Sequence, residues 1–376
     1  MSITTNRVRP RLPVNDPIKK NRQEIPGRFF HGRVLWGWFI VSVLFSSCSL
    51  FGTEQTHYAD RVEPLMGTDI RIQLYASDAE EATRVLESSF DLLVSLENSW
   101  SHFDEQSELS RIHATYSPGE WVEMSEELAI LVERGLQAWR WTDGKFDLTA
   151  GPLIELWRIS RRTDRLPAED ALLEAMDRVG SEWIRFDADG RRIQFLKDEM
   201  RLDPGGIGKG LAADLVMEHL KEQGIEHALI DAGGDLLASA PPPGEMGWDV
   251  WLELPTSLKT EGVVEPIRLS LAHQAVATSG DLFQFVDIDG IRYSHIVDPS
   301  SGLGVEGLHQ STVIAPKAWL ADLFATVAIL EGTGIENRIP PEVDLEYLLL
   351  RKPLSSSDIL RWESDGWRSW MHQGSR

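Results

Sequence analysis

The sequence has little cysteine, little positive charge and no internal repeats. Cys48 is the single cysteine among 376 residues, so no disulfide can form within the chain, and an exported fold would rely on its apolar core alone. Lysine and arginine number 37 against 59 aspartate and glutamate, which gives a net charge of -22. Such a surface repels phosphate backbones, and no basic face for nucleic acid is evident, so DNA and RNA are excluded as partners.

What the sequence does contain is ordinary for a globular protein. Hydrophobic residues make up 42% and charged residues 26%, which argues against a disordered chain and against a polytopic membrane protein. The length allows one large domain or two fused domains. We therefore expect a soluble enzyme fold with a sizeable core.

The N-terminus departs from the acidic trend. In the first 33 residues eight basic residues oppose two acidic ones, and the apolar run 34–45 follows. This run is too short to span a bilayer comfortably, and the layout is that of a secretory signal. Small residues before Cys48 resemble a lipoprotein cleavage site and predict lipidation at Cys48; alternatively, the run continues to Phe51 as an uncleaved anchor. Both interpretations place the folded part on the inner membrane, facing the periplasm.

These features predict four parts: a basic segment with its signal or anchor (1–48), a linker (49–61), a catalytic domain (62–340) and a C-terminal extension (341–376). Alternating apolar residues predict one strand within 62–75. Ser77 and Glu80 predict a capping box for a helix of about five turns. We expect a loop at 101–110 and a second helix beginning near Ser125.

The second half of the chain is rich in strand patterns. Asp289-Gly290 between two apolar runs predicts a tight hairpin. We expect 158–198 to be peripheral and the tail from 353 to be irregular. Because helices and strands do not alternate strictly, the predicted fold class is α+β, with mixed or antiparallel sheets and helices packed outside.

The glycine-rich segment 203–210 is the first candidate for chemistry. Three glycines precede a predicted helix, so backbone N–H groups can approach an anion at the positive end of the helix dipole. The spacing fits neither the phosphate loop nor the dinucleotide fingerprint. Either Asp203 and Lys209 bracket a phosphate site, or the segment is a tight turn that packs a helix on a sheet.

The predicted helix beginning around Pro316 is apolar on every side, and past its first turn only Asp322 and Thr326 interrupt it. These two residues lie one turn apart on the same face. A helix of this kind should be buried, and a buried carboxylate must be paired or bound to a metal. One carboxylate and one hydroxyl suit Mg2+. The alternative is that Asp322 caps a neighbouring loop and Thr326 bonds to its own helix.

His295 stands near the end of the predicted hairpin strand, beside Asp298-Pro299. A lone histidine is more often structural than catalytic. Its position beside a turn is compatible with a general base.

Together these segments resemble the ApbE family of FAD:protein FMN transferases, over about residues 63–330. The resemblance rests on eight segments in the family's order: 64–68, 107–112, 146–153 with 156–157, 203–210, 233–235, 275–281, 293–296 with 298–299, and 320–326. It implies that Asp322, Thr326 and the carbonyl of Gly206 bind Mg2+. It further implies that His295 activates the acceptor hydroxyl and that one set of residues lines the FAD site: Met66, Phe103, Phe146, Asp147, Asp203, Lys209 and Ile296.

The implied reaction uses FAD as the substrate. Mg2+ and Lys209 would neutralise its pyrophosphate, and a threonine or serine hydroxyl would attack the FMN-side phosphorus, giving FMN-protein and AMP. The expected acceptor is an exported or membrane-bound redox protein. Two alternatives remain: an FAD pyrophosphatase that releases FMN and AMP, and a non-catalytic flavin-binding lipoprotein.

Some positions depart from the family's pattern. Phe103 replaces a common tyrosine, Leu282 a frequent aromatic residue, and Arg158 follows Trp157 where Gly-Phe-Gly is usual. The segment 300–303 also differs. These departures leave the metal and loop positions intact.

Overall fold

The computed structural model describes residues 56–252, 267–280, 284–352 and 359–372. Cys48, the basic segment and the apolar run lie outside the described residues, as do Asp281 and Leu282. The strands are β1 (His57–Leu65), β2 (Thr68–Ala76), β3 (Trp121–Glu123), β4 (Ile184–Asp187), β5 (Arg192–Phe195), β6 (His227–Ala232), β7 (Asp235–Ala238), β8 (Trp248–Leu252), β9 (Ile267–Leu271), β10 (Ala275–Gly280), β11 (Phe285–Ile288), β12 (Ile291–Val297), β13 (Gly304–Glu306), β14 (Leu308–Ala315), β15 (Glu346–Lys352) and β16 (Leu360–Glu363). The helices are α1 (Ala79–Trp100), α2 (Glu108–Thr115), α3 (Glu126–Trp141), α4 (Gly151–Thr163), α5 (Glu169–Asp177), α6 (Gly208–Glu222), α7 (Ala318–Glu331) and α8 (Trp367–His372).

An eight-stranded sheet organises the described chain, in the order β1-β2-β6-β7-β10-β14-β15-β16. Every neighbouring pair in it is antiparallel. Helices α1, α6 and α7 pack on the sheet through one apolar core. The predicted α+β class with antiparallel sheets and outer helices is confirmed.

The strand predicted within 62–75 is two strands. Met66 and Gly67 both have positive φ, 54° and 74°, and form a two-residue hairpin turn between β1 and β2. The predicted alternation is confirmed in β2, where Ile70, Ile72 and Leu74 are buried. The second predicted hairpin, at Asp289-Gly290, is also confirmed between β11 and β12.

The helices begin with capping residues of the predicted kind, but not always at the predicted residue. The N-cap of α1 is Asp78, whose side chain accepts the Glu81 N–H at 2.9 Å, while the Ser77 N–H donates to Glu81 Oε2 at 2.8 Å. The predicted pair Ser77–Glu80 is therefore wrong by one residue. Ser125 caps α3 as expected. The expected loop 101–110 is wrong at its end, since α2 begins at Glu108, capped by Ser107.

The C-terminal part contributes to the central sheet. Strands β15 and β16 extend it beyond β14. The prediction of an irregular tail from 353 is wrong at β16 and α8. The short edge strand β16 begins at Leu360. Residues 341–376 therefore supply two strands of the same sheet that carries the rest of the fold.

Helix α7 is buried on nearly all sides, as its composition predicts. With the 3-10 turn Gly332–Asn337 it is long and apolar enough to cross a membrane, but 67% of an 18-residue window within it is buried in the fold, so it is a core helix here. A Cβ on Gly210 of α6 would overlap the carbonyl oxygen of Ala318. Glycine therefore lets α6 and α7 approach closely.

The start of α7 is capped from α6. Lys317, at the N-cap, provides no side-chain hydrogen bond to the first turn. Asp214 takes that role, because its side chain accepts the N–H groups of Ala318 at 3.0 Å and Trp319 at 2.9 Å. This cap and the contact at Gly210 fix where α7 presents Asp322 to the glycine-rich segment.

Candidate functional site

Asp235, Asp322 and Lys209 form one cluster, which we call the acid–lysine cluster. Lys209 Nζ contacts Asp235 Oδ2 and lies 3.6 Å from Asp322 Oδ2. Both carboxylates are buried. Burial alone would lower the pKa of Lys209, but the two carboxylates outweigh it and raise that pKa well above its ordinary value.

Backbone N–H groups hold the two carboxylates of the acid–lysine cluster in place. The Gly210 N–H donates to Asp322 Oδ2 at 3.1 Å, and the Thr278 N–H donates to Asp235 Oδ1 at 3.2 Å. Burial raises the pKa of Asp322, and the ammonium of Lys209 acts against that rise. The cluster thus ties α6, α7 and β7 together at the start of α6.

Thr326 and Gly206 lie beside this cluster. Thr326 Oγ1 is 3.2 Å from Ser279 Oγ of β10. A Cβ on Gly206 would lie 3.8 Å from Thr326 Cγ2 and 2.9 Å from the Phe146 ring. The structure therefore brings the three predicted metal ligands, Gly206, Asp322 and Thr326, to one place, with Phe146 against the loop.

Asp203 begins the glycine-rich segment and is also buried. Its Oδ1 accepts the Gly205 N–H at 2.8 Å, and its Oδ2 accepts Arg158 Nη2 at 3.1 Å. His102 Nε2 lies 2.8 Å from the same guanidinium nitrogen, and burial lowers the pKa of His102. The expectation that 158–198 is peripheral is thus wrong at its first residue, and also at Ile193 and Phe195 of β5, which are buried in the main core.

Phe103 lies over Arg158, with the guanidinium carbon 4.5 Å from the ring centroid. The ring is 73% exposed, so it offers an open stacking surface at the edge of the site. Ile296, which the resemblance also assigns to the flavin site, is buried in β12.

Asp147 serves the fold through every hydrogen bond it makes. Its oxygens accept the N–H and hydroxyl of Thr149 and the N–H and hydroxyl of Ser181, at 2.7–3.0 Å. This set fixes the turn that follows Phe146. The predicted flavin contact of Asp147 stays a prediction, beside this observed structural role.

Met66 occupies the β1–β2 turn with left-handed backbone, which is unusual for a bulky residue. Its N–H donates to Glu97 Oε1 at 2.8 Å. Next to it, Thr68 packs so closely on Gly233 that a Cβ there would overlap its side chain. The turn is therefore joined to the 233–235 segment, whose last residue is Asp235.

His295 lies on β12, half-buried, with Nδ1 3.2 Å from the carbonyl oxygen of Gln284. That contact assigns the proton to Nδ1 and leaves Nε2 as an acceptor. Burial, with the positive charges of Arg161 and Lys209, lowers the pKa of His295 to about 4, despite the opposing effect of Gln284. The ring is therefore neutral at neutral pH.

A sequence model of the ApbE family matches residues 66–339. The chain belongs to the ApbE family. It is similar to the FAD:protein FMN transferase of Vibrio cholerae, with 28% identity over 285 residues, 74% of this chain and 82% of that protein. The FAD:protein FMN transferase of Treponema pallidum is 28% identical over 308 residues, 78% of this chain and 84% of that protein.

Solved ApbE structures share the fold. The flavinyl transferase ApbE of Pseudomonas stutzeri in its apo form has a TM-score of 0.72 and 25% identity, covering 84% of this chain and 97% of that one. The ApbE protein of Thermotoga maritima has a TM-score of 0.70 and 28% identity, covering 84% of this chain and all (100%) of that one.

The donors that ApbE resemblance assigns to Mg2+ fit a hard cation in this chain. The part of the chain that the structure describes holds no group of three or more histidine, cysteine, aspartate or glutamate residues suited to a metal. The candidate donors are instead one buried carboxylate, one hydroxyl and one backbone carbonyl, all oxygens. Mg2+ prefers such a set and completes it with water or phosphate oxygens.

Sequence reasoning missed several residues of the site. Asp235 lies in the segment 233–235, which carries part of the resemblance to the ApbE family but has no role assigned to it from the sequence. It is nevertheless the direct partner of Lys209. Ser279 and Arg158 likewise contact predicted residues, Thr326 and Asp203. A buried strand leading into Gly-Gly-Asp was the available signal for Asp235; the other two depend on which elements meet in space.

Proposed function

We propose that this chain is a Mg2+-dependent FAD:protein FMN transferase that attaches FMN to a threonine or serine of another protein and releases AMP. The observation that carries the proposal is the convergence of Lys209, Asp322, Thr326 and Gly206 at the N-terminus of α6. A cationic group, hard oxygen donors and a helix N-terminus suit a pyrophosphate. The named relatives support the same activity.

In the proposed complex the FAD pyrophosphate lies against Lys209, whose ammonium is held by Asp235 and therefore stays charged. Phe146, which lies against Gly206, and Phe103, which lies over Arg158, provide apolar surfaces for the flavin. Asp203 orders the loop through the Gly205 N–H. A bound Mg2+ at Asp322, Thr326 and Gly206 would supply charge stabilisation on the phosphate oxygens.

We assign to His295 the role of accepting the proton from the acceptor's hydroxyl. Its neutral ring leaves Nε2 free of the Gln284 contact, so Nε2 can take the proton from the attacking hydroxyl. The hydroxyl oxygen then forms a bond to the FMN-side phosphorus. The bond to the bridging oxygen of the pyrophosphate breaks, and AMP leaves with that electron pair.

Export and anchoring complete the proposal. The basic segment, the apolar run and the small residues before Cys48 support a signal or anchor that holds the enzyme on the periplasmic side of the inner membrane. The acceptor is then an exported or membrane-bound redox protein. The mass of the mature N-terminus distinguishes a lipidated Cys48 from an uncleaved anchor. In Cys48→Ala the mass of the lipid should be lost if Cys48 is lipidated, whereas an uncleaved N-terminus should keep its full length.

Intact-protein mass spectrometry tests the reaction. The full-length chain is incubated with FAD, Mg2+ and a threonine-containing acceptor protein, and a mass gain of one FMN that EDTA abolishes is the expected result. Free FMN and AMP with an unmodified acceptor would make the protein a pyrophosphatase instead. Unmodified acceptor with intact bound FAD would leave only flavin binding.

A further inference from the structure

Helix α4 carries a concentration of positive charge on a strongly acidic protein. Arg158, Arg161 and Arg162 line an open cleft of about 270 Å³ together with Phe285 of β11. We call these four residues the arginine cleft. The net charge of the whole chain is -22, so the cleft is a local exception to the character of the molecule.

Two of the three arginines of the cleft form no ion pair with a described carboxylate. Arg158 shares its charge with Asp203. Within the described ranges, no carboxylate pairs with Arg161 or Arg162, and Arg161 Nε lacks any partner. Arg162 is exposed and Arg161 half-buried. Two guanidinium groups therefore stand available to an outside ligand.

The fold ties the cleft to His295. Trp157 of α4 donates its indole N–H to the carbonyl of Ser294 at 2.9 Å, one residue before His295. Arg161 follows Trp157 by one helical turn and so lies on the same face of α4, toward β12. Of the charged groups acting on His295, Arg161 has the largest effect, ahead of Lys209.

Two sets of positive charge therefore act on His295, one from Lys209 of the acid–lysine cluster and one from Arg161 of the arginine cleft. The cleft is an open space lined from α4 and β11, and β11 pairs with β12, the strand that carries His295. Because the attacking hydroxyl must reach phosphorus beside His295, we expect the acceptor to approach along this cleft.

We infer that the arginine cleft binds acidic side chains of the acceptor protein next to its accepting hydroxyl, with Arg161 and Arg162 as the contacting groups. This inference rests on the proposed function. Guanidinium groups pair with carboxylates in bidentate geometry. A local basic cleft also steers an acidic segment that the rest of this acidic surface repels.

Peptide binding tests the inference without requiring the chemistry. A labelled threonine peptide with flanking aspartates and its twin with asparagines are titrated against the full-length chain and followed by fluorescence anisotropy. We expect the aspartate peptide to bind more tightly and Arg161→Gln/Arg162→Gln to weaken it by about tenfold at low salt, with the asparagine peptide little changed. The matched control is Arg84→Gln/Arg191→Gln, which removes two exposed arginines of α1 and the β4–β5 turn.

Equal binding of the two peptides by the unaltered chain, or binding of neither, overturns the inference. So does a double variant that loses FAD affinity, measured by flavin fluorescence, while peptide affinity stays the same, since the cleft would then hold a phosphate of FAD. FMN transfer measured in the same samples separates the two proposals. Charge-dependent peptide binding without FMN transfer refutes the proposed function alone, whereas transfer with a KM indifferent to peptide charge refutes the cleft alone.

Discussion

The acid–lysine cluster and the arginine cleft both place positive charge near His295, but they are built differently. In the cluster, buried carboxylates share one lysine and take backbone N–H groups from α6 and β10. In the cleft, arginines of one helix stand half or fully exposed around an open space. A buried charge is costly unless its partners are all in place, so the cluster has one workable arrangement. An exposed guanidinium has no such constraint.

An exposed cleft can vary in sequence more freely than a buried cluster. The cleft begins at Arg158, where the resemblance to the family's pattern is interrupted, whereas Lys209, Asp235 and Asp322 of the cluster lie in segments that carry the resemblance. Chemistry common to the family would reside in the buried cluster, and recognition of a particular acceptor in the exposed cleft. Four predictions sharpen or break this division.

Asp322→Ala should have the largest effect. It removes the only carboxylate among the predicted metal donors and leaves Lys209 with one partner. We expect FMN transfer to fall by about 10³-fold, measured by mass spectrometry of the acceptor. Asp249→Ala, an exposed carboxylate of β8 paired with Arg268, is the control. An Asp322→Ala enzyme within about threefold of the control would remove the cluster from the chemistry.

Asp235→Asn should have the next largest effect. The amide keeps the size of the side chain but loses the charge that holds Lys209, so the ammonium is left to pair with Asp322 and competes with a cation there. We expect about a 100-fold fall in kcat/KM together with weaker Mg2+ binding by calorimetry. Mg2+ affinity equal to that of the unaltered protein would contradict this account.

His113→Gln should change the pH dependence of stability. His113 Nε2 accepts the Leu202 N–H at 2.9 Å, next to Asp203, and burial lowers the pKa of His113 from 6.5 to about 3. The unfolded chain therefore binds a proton that the folded chain refuses, so this contribution to stability is full above about pH 6.5 and is lost as the pH falls toward 3.

Chemical denaturation at about pH 7 and about pH 4.5 measures that loss. We expect His113 to account for about 2 kcal/mol of the decrease in the free energy of unfolding, which His113→Gln should lack. His57→Gln, at an exposed position on β1, is the control. The same decrease in all three proteins would show that other groups determine the acid sensitivity.

Arg161→Gln should have the smallest effect, a shift in the pH profile. The positive charge of Arg161 helps to lower the pKa of His295, so its removal should raise that pKa. We expect the acidic limb of kcat/KM for transfer to move upward by about half a pH unit, because the base must be neutral. Arg84→Gln should leave the limb in place, and an unmoved limb in Arg161→Gln would separate the cleft from His295.

Features that depend on local sequence patterns were predictable, and features that depend on tertiary packing were not. Burial of Asp322 follows from an all-apolar helix, and the hairpin follows from Asp289-Gly290, because both signals are local. The roles of Asp235 and Arg161 depend on sheet order and on the packing of α4 against β12, which no local pattern contains. The cap of α1 moved from Ser77 to Asp78 because two adjacent residues can both cap, and only the chain's entry geometry selects one.

The close packing of α6 and α7 affects when the site can form during synthesis and folding. The bond from Gly210 to Asp322 joins residues 112 positions apart, and helix α7 follows β14 late in the chain. A polypeptide still being synthesised holds the glycine-rich segment long before it holds its carboxylate. Contacts so distant in sequence form slowly, since the intervening chain must first be ordered. The acid–lysine cluster therefore forms only when α7 docks. Truncated chains that end before α7 contain the glycine-rich segment but lack Asp322 and Thr326.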